Sequence, residues 1–292
     1  DNVWRPRAWR LCHQRRCHSE DEFAARDHVG IISRCYAELL RSHPQFWAYM
    51  ALLAVYFFWG TTYLGIRMAL ESFPPLLLVG GRFLASGAIL LVSARLAGAQ
   101  LPKGRELYLT ALYGVVLLGG GNGALVFAET FIPSGTAALF ITTGPFWLVG
   151  MEAALPGGER LHLPTLMGIL VGFAGVLVLI APAAFGSPTG IDYVNGFLLL
   201  QFGCLCWTTG SLLQRRLRTK AHPVVSGAVQ QLATGLVFLP IAMAVPEHPV
   251  LWSTRGVVAA IYLVTFGSIV GYSAFIYAME HLPVPIVSTY TY

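Results

Sequence analysis

The fold class this sequence predicts is an all-α polytopic membrane protein, built as an inverted repeat. Three observations lead there. First, 55% of the 292 residues are hydrophobic and only 11% are charged, whereas a soluble domain carries about a quarter charged residues. The mean hydropathy of +0.63 agrees. Second, apolar runs of the length that crosses a bilayer, about 20 residues, follow one another from Trp47 to the end, with connections too short for a soluble domain. Third, the second half repeats features of the first at a nearly constant offset.

Residues 1–46 differ from the rest. The first 49 residues hold eight of the 19 Lys and Arg, and three of the five cysteines (Cys12, Cys17 and Cys35). They carry no secretory pattern, because no apolar core follows the basic start. They read as a basic tail, either disordered or upstream of the true start, for which Met50 is a candidate. The spacing of Cys12-His13 and Cys17-His18 fits no familiar zinc motif. No metal or cofactor is expected. The formal net charge of +5 is not gathered with aromatics on one face, so nucleic acid is not an expected partner.

Spans are expected near 47–69, 75–96, 106–128, 134–153, 164–181, 194–213, 224–245 and 256–279. A ninth begins near Pro285 and is cut off at Tyr292. Loop charge sets the orientation. Arg95, Lys103, Arg105, Arg160, Arg215, Arg216, Arg218 and Lys220 fall on one side, against Arg67 and Arg255 on the other. Positive charge stays cytoplasmic, so the first helix enters from the cytoplasm.

A shift of 148 residues puts Trp59 on Trp207, Pro75 on Pro223, Arg82 on Gln230 and Gly87 on Gly235. A shift of 150 puts Ala128 on Ala278 and Pro133 on Pro283. The repeating units are residues 47–182, with five helices, and 194–292, incomplete. An odd number of helices makes consecutive copies insert with opposite orientation. That is the plan of secondary transporters whose site lies near the midplane, between the halves.

Leu117 to Trp147 holds the densest cluster of small and polar residues, with four glycines within Gly119–Gly123 around Asn122. Small residues let helices approach closely, and intramembrane polar groups mark a lined cavity. Arg82 is the sharpest candidate. A charge at such depth costs at least about 2.5–3.5 kcal/mol on insertion scales. It either faces a cavity and holds an anionic group such as a carboxylate, or serves a structural pair. Its partner Gln230 is neutral, which makes any shared site asymmetric. Asn122 bonds either a ligand or a neighbouring helix. Pro145 removes a backbone hydrogen bond in mid-span and either frees a carbonyl for the cavity or simply bends the helix. Trp59 and Trp207 read as aromatic walls or packing anchors, with Tyr272 and Tyr290 as weaker versions. Glu129 is either a proton-coupling carboxylate or an interfacial charge before Pro133, its place at a helix end favouring the latter; Glu152 and Glu280 read as interfacial. Gly168, Gly172 and Gly175, and Gly267 with Gly271, read as close helix packing. Cys204 and Cys206 read as small buried residues.

An ordered set of motifs then carries a resemblance. Trp59-Gly60-Thr61-Thr62-Tyr63, Phe73-Pro74-Pro75, Gly81-Arg82-Phe83, Gly121-Asn122-Gly123, Ala128-Glu129, Pro133-Ser134-Gly135 and Gly158-Glu159-Arg160 lead into Gly172-Phe173-Ala174-Gly175, Phe266-Gly267-Ser268 and Ser288-Thr289-Tyr290-Thr291-Tyr292. Over residues 47–292 the chain resembles an EamA-type transporter of the drug/metabolite transporter superfamily. The resemblance implies ten helices in two five-helix EamA units, of which this chain holds eight and the start of a ninth. It implies a bacterial inner-membrane protein that exports a metabolite, an amino acid or a drug. The expected function is therefore secondary transport by alternating access, with a small-molecule substrate, the lipid bilayer as surroundings, and a homodimer left open. The alternatives are a non-transporting membrane protein or an inactive fragment. An intramembrane enzyme is less favoured, because neither HExxH nor paired aspartates occur, and the absence of a Walker A motif speaks against ATP-driven transport by this chain.

Overall fold

The structure, a computed structural model, describes residues 44–158, 163–186, 190–216 and 221–291. The expected disordered tail and the charges of Arg160, Arg218 and Lys220 lie outside the described residues. Every regular element within them is helical. They are α1 (Pro44–Leu70), α2 (Pro75–Leu96), α3 (Arg105–Ala128), α4 (Ser134–Ala154), α5 (Leu163–Gly186), α6 (Gly190–Arg216), α7 (Pro223–Ala244), α8 (Thr254–His281) and α9 (Val284–Val287), which runs on as a 3-10 turn. Among the described residues, seven helices, α1–α4 and α6–α8, are long and apolar enough to cross a membrane. The chain is an integral membrane protein.

Local sequence explains the boundaries. Pro75 and Pro223 stand in the first turns of α2 and α7, where a missing N–H costs nothing and the fixed φ suits a helix. Ser253 caps α8 by accepting a hydrogen bond from Gly256 N at 3.0 Å. Pro145 bends α4. The helix stops after Ile141, turns through Thr142 and Thr143, and resumes at Gly144. The hydroxyls of both threonines donate back to carbonyls one turn earlier, Leu139 O and Phe140 O.

α3 and α8 share a feature that hydropathy cannot show. Each carries a π-helical segment, Val115–Asn122 and Leu263–Val270, at the repeat offset of 148 residues. Such segments widen the helix and change which side chains face a neighbour. The packing is symmetric as well. α1 lies along α8 and α6 along α3, while α2 and α7 run against each other.

The α2–α7 contact is the most extensive. A Cβ on Gly87 would stand 2.7 Å from Leu232 N, and one on Gly235 would stand 2.5 Å from Leu84 N. Glycine is required at both, because backbone occupies the space a side chain needs. Glycine packing in α5 corrects an expectation. Among the described residues Gly168, Gly172 and Gly175 meet nothing within 4 Å, so on this chain that GxxxG faces outward rather than into a neighbouring helix. Gly267 and Gly271 face side chains, Arg82 and Trp59, rather than a neighbouring backbone.

One end of the molecule is stitched together. Leu251 N donates to Ser72 O at 2.8 Å, Ser72 and Ser253 share a 2.7 Å hydroxyl bond, and Leu76 N donates to Glu247 Oε1 at 3.1 Å. Arg255 pairs with Glu71 at 3.5 Å. At the opposite end a cavity of about 280 Å³ opens between α6 and α8, lined by Ser211, Gln214, Arg215, Met279 and His281. Beside it Arg216 pairs with Glu152 at 3.3 Å, so Glu152 holds two helix ends together.

Candidate functional site

A central cavity of about 80 Å³ lies at mid-depth, with walls from α1, α2, α3, α4, α6, α8 and the 3-10 turn that follows α9. Arg82 projects into it from α2 and is only 5% exposed. Its Nε donates to Ser268 Oγ at 2.7 Å and its Nη1 to Asn122 Oδ1 at 3.3 Å. Both partners stand on the π segments, Asn122 at the end of the one in α3 and Ser268 within the one in α8. Gly267 leaves room for the guanidinium, since a Cβ there would lie 2.9 Å from Arg82 Nη2. Both partners are neutral. Among the described residues no carboxylate pairs with Arg82, so the cavity holds an uncompensated positive charge with N–H donors to spare.

Aromatic rings form the opposite wall. Trp59 and Trp207 meet edge to face with centroids 5.2 Å apart, Tyr290 lies 5.2 Å from Trp59, and Phe275 packs at a tilt 5.1 Å from Trp59 and 5.3 Å from Trp207. The matched tryptophans sit in matched places. Trp59 packs on Gly271 and Trp207 on Gly121, each against the third helix of the other half. Trp59 Nε1 donates to Gly267 O at 3.1 Å. Trp207 Nε1 is buried with no well-aligned hydrogen bond among the described residues, the Tyr290 hydroxyl standing near it, which leaves a second donor at the cavity. Phe275, packed on these two cavity tryptophans, itself lines the larger cavity, so its ring stands between the two cavities.

The structure brings Arg82, Asn122, Trp59, Trp207, Pro145, Tyr272 and Tyr290 together at this cavity. Gln230 is not among its lining residues. Its amide Nε2 donates to Gln214 Oε1 at 3.0 Å and its Oε1 accepts from Tyr272 Oη. Gln230 is thus spent between helices, supporting Tyr272 from behind. Sequence reasoning missed Ser268, whose single hydroxyl carried no weight without its neighbour. It also missed Gln201, whose Oε1 accepts from Trp147 Nε1 at 2.8 Å and, at 3.0 Å, shares the single Thr143 hydroxyl proton with Phe140 O. That glutamine locks the bend of α4 beside the cavity.

Glu129 lies in the connection between α3 and α4 and corrects another expectation. Its side chain is 0% exposed, so it is no interfacial charge. Arg67 Nη1 donates to its backbone carbonyl, and both carboxyl oxygens lack a hydrogen-bond partner among the described residues. Cys204 is buried and lines the central cavity, and Cys206 is half-buried. Among the described residues no cluster of His, Cys, Asp or Glu could hold a metal ion.

Known proteins resemble this arrangement over most of its length. The EamA-like transporter family matches residues 46–181 and 194–292. The "Uncharacterized inner membrane transporter YedA" of Escherichia coli (strain K12) is 35% identical over 244 residues, covering 83% of this chain and 77% of the relative. A protein of the same organism named "Probable amino-acid metabolite efflux pump" is 30% identical over 195 residues, covering 66% of this chain and 60% of its own. A solved crystal structure shares the fold, with a TM-score of 0.63 at 23% identity over 82% of each chain.

Proposed function

The chain belongs to the EamA-like transporter family, which makes it a membrane transporter and not an enzyme, and we propose that it exports a small metabolite carrying a carboxylate. The observation that carries this reading is Arg82, a buried guanidinium bonded to two neutral side chains and unpaired with any described acid. A charge buried without a partner is costly. A substrate carboxylate supplies the missing charge and accepts the strong, charge-assisted bonds that guanidinium geometry favours. The edges of Trp59, Trp207 and Tyr290 then take an apolar or aromatic part of the substrate, with Trp207 Nε1 as a further donor. The name of the efflux-pump relative, with its amino-acid metabolites, points to the same chemistry.

Transport by alternating access suits the two ends. The stitched end closes the path on one side, and the cavity between α6 and α8 opens on the other. A central cavity of about 80 Å³ is well below the roughly 300–1,000 Å³ of pockets that hold drug-sized ligands. Substrate entry therefore requires helices to move apart, and Phe275, between the cavities, is the ring that must turn aside. The widened turns of α3 and α8 are suited to yield there, since π segments concentrate at functional sites.

On this reading the protein sits in a bacterial inner membrane, with the first helix entering from the cytoplasm and the cavity between α6 and α8 facing inward. Residues 47–182 and 194–292 act as two inverted units, and a homodimer is compatible with this arrangement. The test is a comparison of metabolites accumulating outside cells that overproduce the protein with those outside cells producing Arg82→Ala at equal membrane abundance. Export of carboxylate-bearing compounds by the first alone supports the reading. Equal export by both returns Arg82 to a structural role.

A further inference from the structure

The transport reading gives Glu129 no task, and its surroundings give it no structural one. The residue closes α3, with backbone N–H donating to Leu125 O at 3.0 Å. Its side chain is buried beside Ala128 and Ile132, which are 0% and 1% exposed. Arg67 comes close enough to bond its backbone carbonyl, yet leaves both carboxyl oxygens unpartnered. An ionised carboxylate in such a place would draw Arg67 onto its oxygens. A protonated one has no such need. The groups that face it are Arg67 and Tyr63, both from α1. From α6, which closes over Ile132 with Gly196, no titratable group among the described residues reaches it. Burial pushes the Glu129 carboxyl up to about 8, with Arg67 pulling the other way.

The mirrored position removes packing as the explanation. The shift of 150 residues that matches Pro133 with Pro283 matches Glu129 with Met279, which is 4% exposed. The same corner of the fold is thus filled by an apolar side chain in the other half. A carboxyl adds nothing to packing there and brings a desolvation cost when ionised.

We propose that Glu129 is a proton-binding site that couples transport to proton movement. In the closed arrangement the carboxyl holds its proton and Arg67 rests on the adjacent carbonyl. When the opposite end is open, the proton leaves past Tyr63 through the central cavity to the water there, the carboxylate draws Arg67 onto its oxygens, and α1 and α3 can separate. Return to the closed arrangement requires one proton to be taken from the water that then reaches this end, so each cycle carries one proton across the membrane, opposite to the substrate. The proton state of one side chain then decides whether this end of the molecule can close. Tyr63, which lies within reach of Glu129 and also lines the central cavity, links the two sites.

This inference rests on the transporter reading for its consequence but not for its chemistry, and the experiment separates them. The protein is reconstituted in liposomes as wild type, Glu129→Gln and Glu129→Met, the last copying the mirrored residue so that the corner stays filled. Infrared spectra taken while the pH rises from about 6 to about 9 follow protonated carboxyl groups. The expected result is a carboxyl band that fades in the wild type and is missing from both variants. Identical spectra from all three overturn the proposal. The same vesicles, loaded with an equal mixture of the twenty common amino acids, then report flux. Wild type is expected to move protons against amino-acid release. Glu129→Met is expected to release amino acids down their own gradient while proton movement falls at least tenfold. Release without proton movement from wild type overturns the coupling. No release from any protein, with the band still titrating in wild type, counts against the export reading and supports the proton site.

Discussion

The two halves of this protein share a scaffold and differ where the chemistry is. Trp59 and Trp207 pack on matched glycines, Gly87 and Gly235 sit in one tight crossing, and the π segments of α3 and α8 lie at one offset. Against that likeness, Arg82 enters the cavity while Gln230 is held between Gln214 and Tyr272. Glu129 is an orphaned acid while Met279 is core. A repeat duplicates packing cheaply, because each position already fits its neighbours. Residues that break the symmetry are freed from packing duty, and both charged ones fall in the first half.

The sharpest way to break this comparison is to make the halves alike. Arg82→Gln copies the mirrored residue, so the helix crossing should survive while the cavity loses its charge. Export of carboxylate-bearing compounds is expected to fall at least about tenfold, in keeping with the roughly 2–5 kcal/mol attached to a buried charge-assisted contact, with membrane abundance unchanged. Next in size is the shared crossing. Gly235→Leu drives a side chain into Leu84 backbone, and a loss of about 1–3 kcal/mol is expected from overpacking, read as a lower melting temperature in detergent. Gly168→Leu, on the outward face of α5, should leave that temperature unchanged. A smaller effect separates the tryptophans. Trp59→Phe removes a well-aligned hydrogen bond to Gly267 O, whereas Trp207→Phe removes only an approach to the Tyr290 hydroxyl. About 1 kcal/mol of difference in stability is expected, and Trp207→Phe should instead weaken substrate affinity. Least of all, Arg255→Ala removes an exposed pair with Glu71 and is expected to cost under about 1 kcal/mol.

Hydropathy made the spans legible, and the structure moves most of their ends by only a few residues, because a bilayer demands length and apolarity whatever the packing. The cavity was legible where one residue was anomalous by itself. Arg82 in an apolar helix and Pro145 in mid-span announce a cost that something must offset. Ser268 and Gln201 were not legible, since their roles arise from partners far along the chain. The π segments were not legible either, because a widened turn keeps the composition of an ordinary one. Glu129 was misread as interfacial because a helix end suggests water, and only the packing of neighbouring helices shows that none reaches it. Gln230 misled in the other direction, as sequence symmetry suggested a cavity place that an interhelical bond had taken.

The most direct test of the central claim is efflux of radiolabelled carboxylate-bearing metabolites from vesicles containing wild type, Arg82→Lys or Arg82→Gln at equal abundance. Efflux by wild type, partial efflux by Arg82→Lys and near-complete loss in Arg82→Gln is the expected order, because charge persists in the lysine variant without the two-pronged geometry. Equal efflux from wild type and Arg82→Gln would contradict it, since the charge at the cavity would then play no part in holding the substrate.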